Sequence, residues 1–489
     1  MRAILQNLVR RSNKGVSKDR MSDSTARFRN FTGYGNFRSA AWLVFAVALA
    51  VRLLALWAAG EPRLVLDEIA YVARAEALLD GQGYIGSYQS WVRHPGYKIM
   101  DLPQYPGAYQ PPGYPSFLAA ILAISGRSLF AVKAVQCLLS ALSCVLLLAI
   151  GTRWFGQRAG IVASWICALY PNLIAYSHLL WSETLFTFEL LLLCWLLFSG
   201  TRGLPSPRRV VAAGVVLGAT ALTRATIVYF APLLVLWLWL LADGERGFSA
   251  RPFAAVRPAA ARGALLLAVA ACVIAPWSIR NTLLHDGFVL IDTNGPYNLW
   301  RGNAPGAMEA RNFPGVPRFS WPFESLPLAP VASLDGRSLI ENFRRSHPER
   351  EPTDLAITRY ASDVAWRAWR SDPARSLDLA AVKLVDMWNP TSFLLRHFEL
   401  GAYGPVPGAV RGVVSGAAVI SYVGVCLLAC AGVGAAIGDR RVWFILALVG
   451  YFTAISAVAF GLTRFRLPLM PFLILLAAIP LARGRRGEL

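Results

Sequence analysis

The sequence predicts an all-α, polytopic membrane fold of about ten transmembrane helices, with a mixed helical and irregular cap on the outer side. Three observations carry this. Of 489 residues, 56% are hydrophobic, and the mean hydropathy is +0.46. Only 16% are charged, where a soluble chain carries about a quarter. Several apolar runs reach the ~20 residues that cross a bilayer as a helix.

The elements follow in order. Residues 1–38 hold nine Lys/Arg and two Asp and form a basic cytoplasmic tail. Residues 40–60 are long and apolar and contain Arg52, so they read as an uncleaved signal anchor. Residues 61–112, rich in Tyr, Gly and Pro, make a first outer loop. Residues 113–126 are apolar but too short to span, which suits a half-embedded helix. Further spans are expected at 128–150, 159–179, 182–200, 209–225, 226–242, 262–283, 410–436, 441–461 and 466–482. The chain thus divides into the tail 1–38, a membrane module 39–283, an outer loop or cap 284–408 and a second membrane module 409–489. Within the cap the first half is irregular, and 352–388 has apolar residues at helical spacing, among them Ile357, Tyr360, Ala361, Val364 and Ala368.

Charge sets the orientation. Short loops containing Arg153 and Arg158, Arg208 and Arg209, Arg257 and Arg262, and Arg440 and Arg441 share a side with the basic tails, and that side sums to +17. The first outer loop sums to −2 and the long one to −1. By the positive-inside rule, both termini are cytoplasmic. The net charge of +20 is therefore topological, and nucleic acid is not an expected partner. The seven cysteines all lie in apolar runs with no metal-type spacing, so they read as small core residues.

Buried charge locates the chemistry. Asp67 and Glu68 are adjacent acids where the first span surfaces, a costly place unless they have a task or a partner. Glu183 lies at the outer turn between 159–179 and 182–200. Basic residues gather at the same level: Arg52, Arg127, Lys133, Arg224, Arg280, Arg411, Arg464 and Arg466. All five histidines (His94, His178, His285, His347, His397) lie on or near that side. This asymmetry points to one outer site for an anionic ligand at headgroup depth, since a guanidinium offers two donors to a phosphate and stays charged when buried. The carboxylates have two readings: Asp67 as a general base, or Asp67, Glu68 and Glu183 with His178 or His94 around a divalent cation. No phosphate-cradling glycine loop is present, so no nucleotide is expected.

The ordered motifs resemble the GT-C superfamily of glycosyltransferases that use polyprenyl-phosphate sugars, nearest the family of protein O-mannosyltransferases and aminoarabinose transferases. They are Arg52 before Asp67-Glu68-Ile69-Ala70-Tyr71; Gln110-Pro111-Pro112-Gly113-Tyr114; Tyr170-Pro171-Asn172 with Ser182-Glu183; Thr223-Arg224; Pro276-Trp277-Ser278-Ile279-Arg280-Asn281; Thr293-Asn294-Gly295 with Gly302-Asn303; and Arg464-Phe465-Arg466. The resemblance implies an inverting sugar transfer on the extracytoplasmic face of a plasma membrane, from a polyprenyl-phosphate donor to a glycan, lipid or protein acceptor. It implies Asp67 as base and Arg280, Arg464 and Arg466 as phosphate binders. Glu68 and Glu183 would tune Asp67, bind sugar hydroxyls or hold a cation. Tyr71 and Tyr114 would stack on the sugar or hydrogen-bond to it, and Arg52 and Arg224 would join the substrate site. Where aminoarabinose transferases carry a Lys before the two prolines, this chain has Gln110, with His94 and Lys98 as nearby substitutes. The alternative reading is a transporter or flippase of lipid-linked sugars, which would also collect arginines at headgroup level.

Overall fold

A computed structural model describes residues 34–93, 105–198, 203–242, 252–305, 307 and 336–483. Residues 1–43 and 44–489 form separate units, and the description below concerns the second.

Among the described residues six helices are long and apolar enough to cross a membrane: Phe37–Ala59, Leu129–Phe155, Val256–His285, Gly408–Ala436, Arg440–Val458 and Thr463–Ala482. The other expected spans are shorter or broken, for local reasons. The run 159–179 divides into α1 (Gln157–Leu169) and α2 (Pro171–Tyr176). Pro171 has no N–H to continue the first helix, and its fixed φ starts the second. The run 182–200 is α3 (Glu183–Phe198). The pair 209–242 is α4 (Pro207–Thr223), a 3-10 turn Ala225–Phe230 and Ala231–Ala242. Arg224, extended at φ −146°, interrupts the path, and its side chain reaches Glu183 of α3. The last span likewise opens with a 3-10 turn, Thr463–Leu469, before Met470–Ala482. Such turns at helix ends place side chains that a continuous helix would carry elsewhere.

The first loop opens with α5 (Asp67–Leu79), and 113–126 forms the short helix Gly113–Ile124. These two pack with the start of Leu129–Phe155 through Val72, Ala75, Tyr114, Leu118 and Val132. The bundle core is continuous and apolar, with Trp181, Phe186, Phe230, Phe444 and Phe472 among its largest members.

The cap carries helices α6 (Asn294–Asn303), Gly336–Ser346, α7 (Asp354–Ser371), α8 (Pro373–Trp388) and α9 (Leu394–Glu399). The helical stretch expected at 352–388 is thus two helices, parted at Asp372-Pro373, where Asp372 caps the second through Arg375 N–H. A small core of Tyr88, Tyr297, Trp300, Leu339, Phe343, Ile357 and Leu379 ties the first loop to the cap. The cap meets the bundle at close range. A Cβ on Gly302 would collide with Ala459 O, and one on Gly461 with Lys383 O. The buried Lys383 ammonium donates to Asn303 Oδ1 (2.7 Å) and Val458 O (3.1 Å) across this seam. These contacts hold α6 against the end of Arg440–Val458, and so shape the cavity between them.

Candidate active site

The site begins with a strained residue. Leu66, the N-cap of α5, has φ +57° and ψ −131°, a region that a leucine adopts only when its surroundings impose it. Glu68 holds the backbone on either side of this turn. Its Oε2 accepts Val65 N–H (3.0 Å), and its Oε1 accepts Leu180 N–H (2.9 Å). The buried His397 ring lies 3.8 Å from Oε2. One carboxyl therefore clips the first loop to the turn before α3. Burial drives the Glu68 carboxyl above its ordinary range, and the two N–H donors only partly offset this.

Asp67, the next carboxyl along, faces Arg464 at 2.7 Å. Burial pushes its carboxyl up, but the Arg464 charge and hydrogen bond outweigh burial and hold it below the ordinary value, with help from Arg301 and Arg74. Glu183, at the first turn of α3, accepts from Arg224 (2.8 Å), and Arg464 Nε lies 3.7 Å from it. Arg464 stacks over Trp181, 4.7 Å from the ring centroid, and Trp181 packs on His397 at 4.9 Å. Arg224 sits over Phe465 at 5.4 Å. Two acids and two arginines, backed by aromatic rings, thus form one chain of charge.

Asp67, Arg224, Arg464 and Phe465 line a cavity of about 530 Å³, together with Tyr71, Tyr109, Gln110, Asp292, Tyr297, Arg301 and Phe460, and Glu183 meets it through the two arginines. That size suits a sugar-scale ligand. An apolar recess of about 350 Å³, lined by Leu217, Ala221, Ala270 and Ile274, adjoins it through shared walls at Val228 and Leu290.

The structure brings together Asp67, Glu183, Tyr71, Arg224 and Arg464, and puts Glu68 just behind them. It places other expected binders elsewhere. Arg466 donates to Met387 O (2.9 Å), Asn389 O and Thr391 O (2.8 Å), and lies over Tyr422. Arg52 is fully buried among Ser140, Ala48, Ala168 and Cys167. Arg280 donates to Gly107 O (2.6 Å) and Tyr84 O (3.1 Å). Tyr114 packs edge-on to Tyr71 at 4.8 Å and donates to Gln136 (2.7 Å), behind the cavity wall. His178 meets Tyr403 at 3.3 Å. Among the described residues no three His, Cys, Asp or Glu side chains gather as a metal cluster, so the cation set Asp67, Glu68, His178 and Glu183 is not assembled as one. His94 and Lys98 lie outside the described residues. Asp292, Arg301, Trp181 and His397 are the site residues that the sequence did not single out as such. The Thr293-Asn294-Gly295 and Gly302-Asn303 motifs each begin one residue after one of the first two, and were the available signal.

The family of dolichyl-phosphate-mannose-protein mannosyltransferases matches residues 109–279, a segment with Glu183 and Arg224 but without Asp67 or Arg464. No curated protein matches the sequence. Among solved structures, the oligosaccharyltransferase AglB of Archaeoglobus fulgidus, in complex with an inhibitory peptide and a dolichol-phosphate, aligns at a TM-score of 0.50 with 13% identity, covering 94% of this chain and 53% of its own. The chain therefore spans about half the length of that enzyme. ArnT of Cupriavidus metallidurans, bound to undecaprenyl phosphate, aligns with 16% identity over 93% of this chain and 78% of its own, at a TM-score of 0.37. The chain is thus similar over residues 109–279 to the dolichyl-phosphate-mannose-protein mannosyltransferase family, and it shares a membrane fold with AglB.

Proposed function

We propose that the protein transfers a sugar, with inversion, from a polyprenyl phosphate to an acceptor hydroxyl at the extracytoplasmic face of a bacterial inner membrane, both termini being cytoplasmic. The observation that carries this is the pairing of Asp67 with Arg464 in a sugar-sized cavity beside an apolar recess. The recess would take the first isoprene units of the donor, and the cavity its phosphate and sugar.

Asp67 is the base. Held ionised by Arg464, it accepts the acceptor's hydroxyl proton as the oxygen attacks the anomeric carbon, and the phosphate leaves from the opposite face with the bonding electrons. Proximity of a pre-ionised carboxylate is enough, because the hydroxyl grows acidic as the bond forms. The leaving phosphate gains charge that the cavity arginines Arg224, Arg301 and Arg464 neutralise. The phosphate role expected of Arg280 and Arg466 passes to these three, since both spend their guanidinium donors on backbone carbonyls. Those two then fix the loops around the site, as Arg52 fixes the bundle. Glu183 holds Arg224 and Arg464 in place, and Tyr71 offers its ring to the sugar. The carboxylates face guanidinium and amide N–H groups, a donor set that does not suit a divalent cation, and no step is routed through one.

The test is chemical. The purified full chain in lipid nanodiscs receives lipid-linked sugars extracted from the source membranes, and mass spectrometry follows free polyprenyl phosphate. Release that depends on added acceptor supports transfer. Movement of intact lipid-linked sugar across liposomes, with no cleavage of the sugar–phosphate bond, would instead establish the transporter reading.

A further inference from the structure

The proposed chemistry leaves one cavity acid unused. Asp67, which lines the cavity, and Glu183, which meets it through Arg224 and Arg464, each face an arginine, whereas Asp292, which also lines the cavity, makes no ion pair among the described residues. It stands on a segment pinned at both sides. Ile291 O accepts from Trp277 Nε1 (2.7 Å) and Asn281 Nδ2 (3.0 Å). Thr293 N–H donates to Ala108 O (2.8 Å), and Tyr88 O–H donates to Thr293 O (3.3 Å). A side chain on so fixed a backbone is preorganised.

Asp292 Oδ1 accepts the N–H groups of Asn294 (3.0 Å) and Gly295 (3.1 Å), which opens α6. That capping role explains one oxygen. It does not explain a carboxylate, because Asn or Ser caps a helix as well without a charge. Burial pushes the Asp292 carboxyl up to about 6, so its ionised form is held at a cost, as is common for groups kept for binding or catalysis.

We infer that Asp292 recognises the donor sugar, its Oδ2 accepting hydrogen bonds from sugar hydroxyls while the sugar is still joined to the lipid phosphate. This rests on the glycosyltransferase reading of the cavity. The donor is favoured over the acceptor by position: Leu290, two residues before Asp292, borders both the cavity and the apolar recess, and a donor sugar lies one phosphate from its lipid. Tyr109 and Tyr297, with ring centroids 5.9 Å apart, line the same wall, and aromatic faces beside a carboxylate suit a polyhydroxylated ring with apolar C–H faces.

The experiment uses the full chain in nanodiscs with the extracted lipid-linked sugars as donor. Asp292→Asn keeps the cap and is expected to raise the donor concentration for half-maximal polyprenyl phosphate release roughly ten- to a hundredfold. Inhibition by sugar-free undecaprenyl phosphate stays unchanged, and the thermal midpoint stays equal or rises. Asp292→Ser gives the same shift. Wild-type donor dependence in these variants, equal weakening toward sugar-free undecaprenyl phosphate, or a fall in thermal midpoint alone overturns the assignment while leaving the glycosyltransferase reading intact. Failure of the wild-type chain to release any polyprenyl phosphate overturns that reading, and this assignment with it.

Discussion

Replacing Arg464 by Gln removes the charge that keeps Asp67 ionised while retaining a side chain able to hydrogen-bond. Two opposite charges ~4 Å apart attract by about 4 kcal/mol at an effective dielectric near 20. The Asp67 side chain is 35% exposed and that of Arg464 17%, so solvent screening reduces this to about 2 kcal/mol. Loss of that attraction should raise the Asp67 carboxyl. The direction follows from the structure: Asp67 is held below its ordinary value of 3.8, so it is a carboxylate throughout the neutral range, and the stability it gains from Arg464 is lost only as pH falls through that lowered value. The assay is the pH–rate profile of polyprenyl phosphate release in nanodiscs, run at saturating donor. In Arg464→Gln the acid limb moves to higher pH, beyond a drop in the plateau from lost phosphate stabilisation. Arg464→Lys restores most of the limb's position, because a point charge suffices for Asp67, but not the plateau, because the two-donor fork is gone. An acid limb that stays where it was in Arg464→Gln would refute the coupling, and with it the claim that Arg464 sets the base.

Two other substitutions probe how the site is held. Glu68→Gln places an amide where two backbone N–H groups need acceptors, so it leaves one of them facing an NH2 and should cost about 1–3 kcal/mol in chemical denaturation. Its release rate should fall at every pH without a shift of the acid limb, which separates a positioning carboxyl from a titrating one. Asp354→Asn should raise stability at neutral pH. Burial pushes the Asp354 carboxyl up to about 6, so the folded protein binds its proton more tightly than the unfolded chain does, and stability declines as pH climbs from 3.8 to 6. The variant lacks that decline, and gains roughly 1–3 kcal/mol above pH 6, read from thermal midpoints across pH 4–8.

Much of the fold was legible because a membrane span must satisfy its own backbone and bury apolar side chains, which leaves a signal in hydropathy and in Lys/Arg placement. The break at Pro171 had a local signal in the proline, although the expected span 159–179 ran through it. The extended residue Arg224 and the 3-10 turn at Thr463–Leu469 had none, since tertiary contacts, not local propensity, set them. The acids and Arg464 could be read because charge at the end of an apolar run is costly and so informative. Arg52, Arg280 and Arg466 carried the same signal for another reason: a guanidinium offers five donors, and open carbonyls at helix ends and loops take them as readily as a phosphate does. Sequence alone does not separate those uses. Trp181, His397 and the Asp292–Arg301 segment lie far apart in the chain, and only packing shows that they share one wall or its backing.

In the proposed sugar transfer, Asp67 takes the acceptor proton. Asp67→Asn keeps a side chain of equal size able to bond Arg464 but unable to accept that proton at neutral pH. The deciding measurement is its single-turnover release of polyprenyl phosphate from the extracted lipid-linked sugar, beside its binding of sugar-free undecaprenyl phosphate. Release should fall by a factor of about 100 or more with binding retained. Release at the wild-type rate would contradict this role of Asp67.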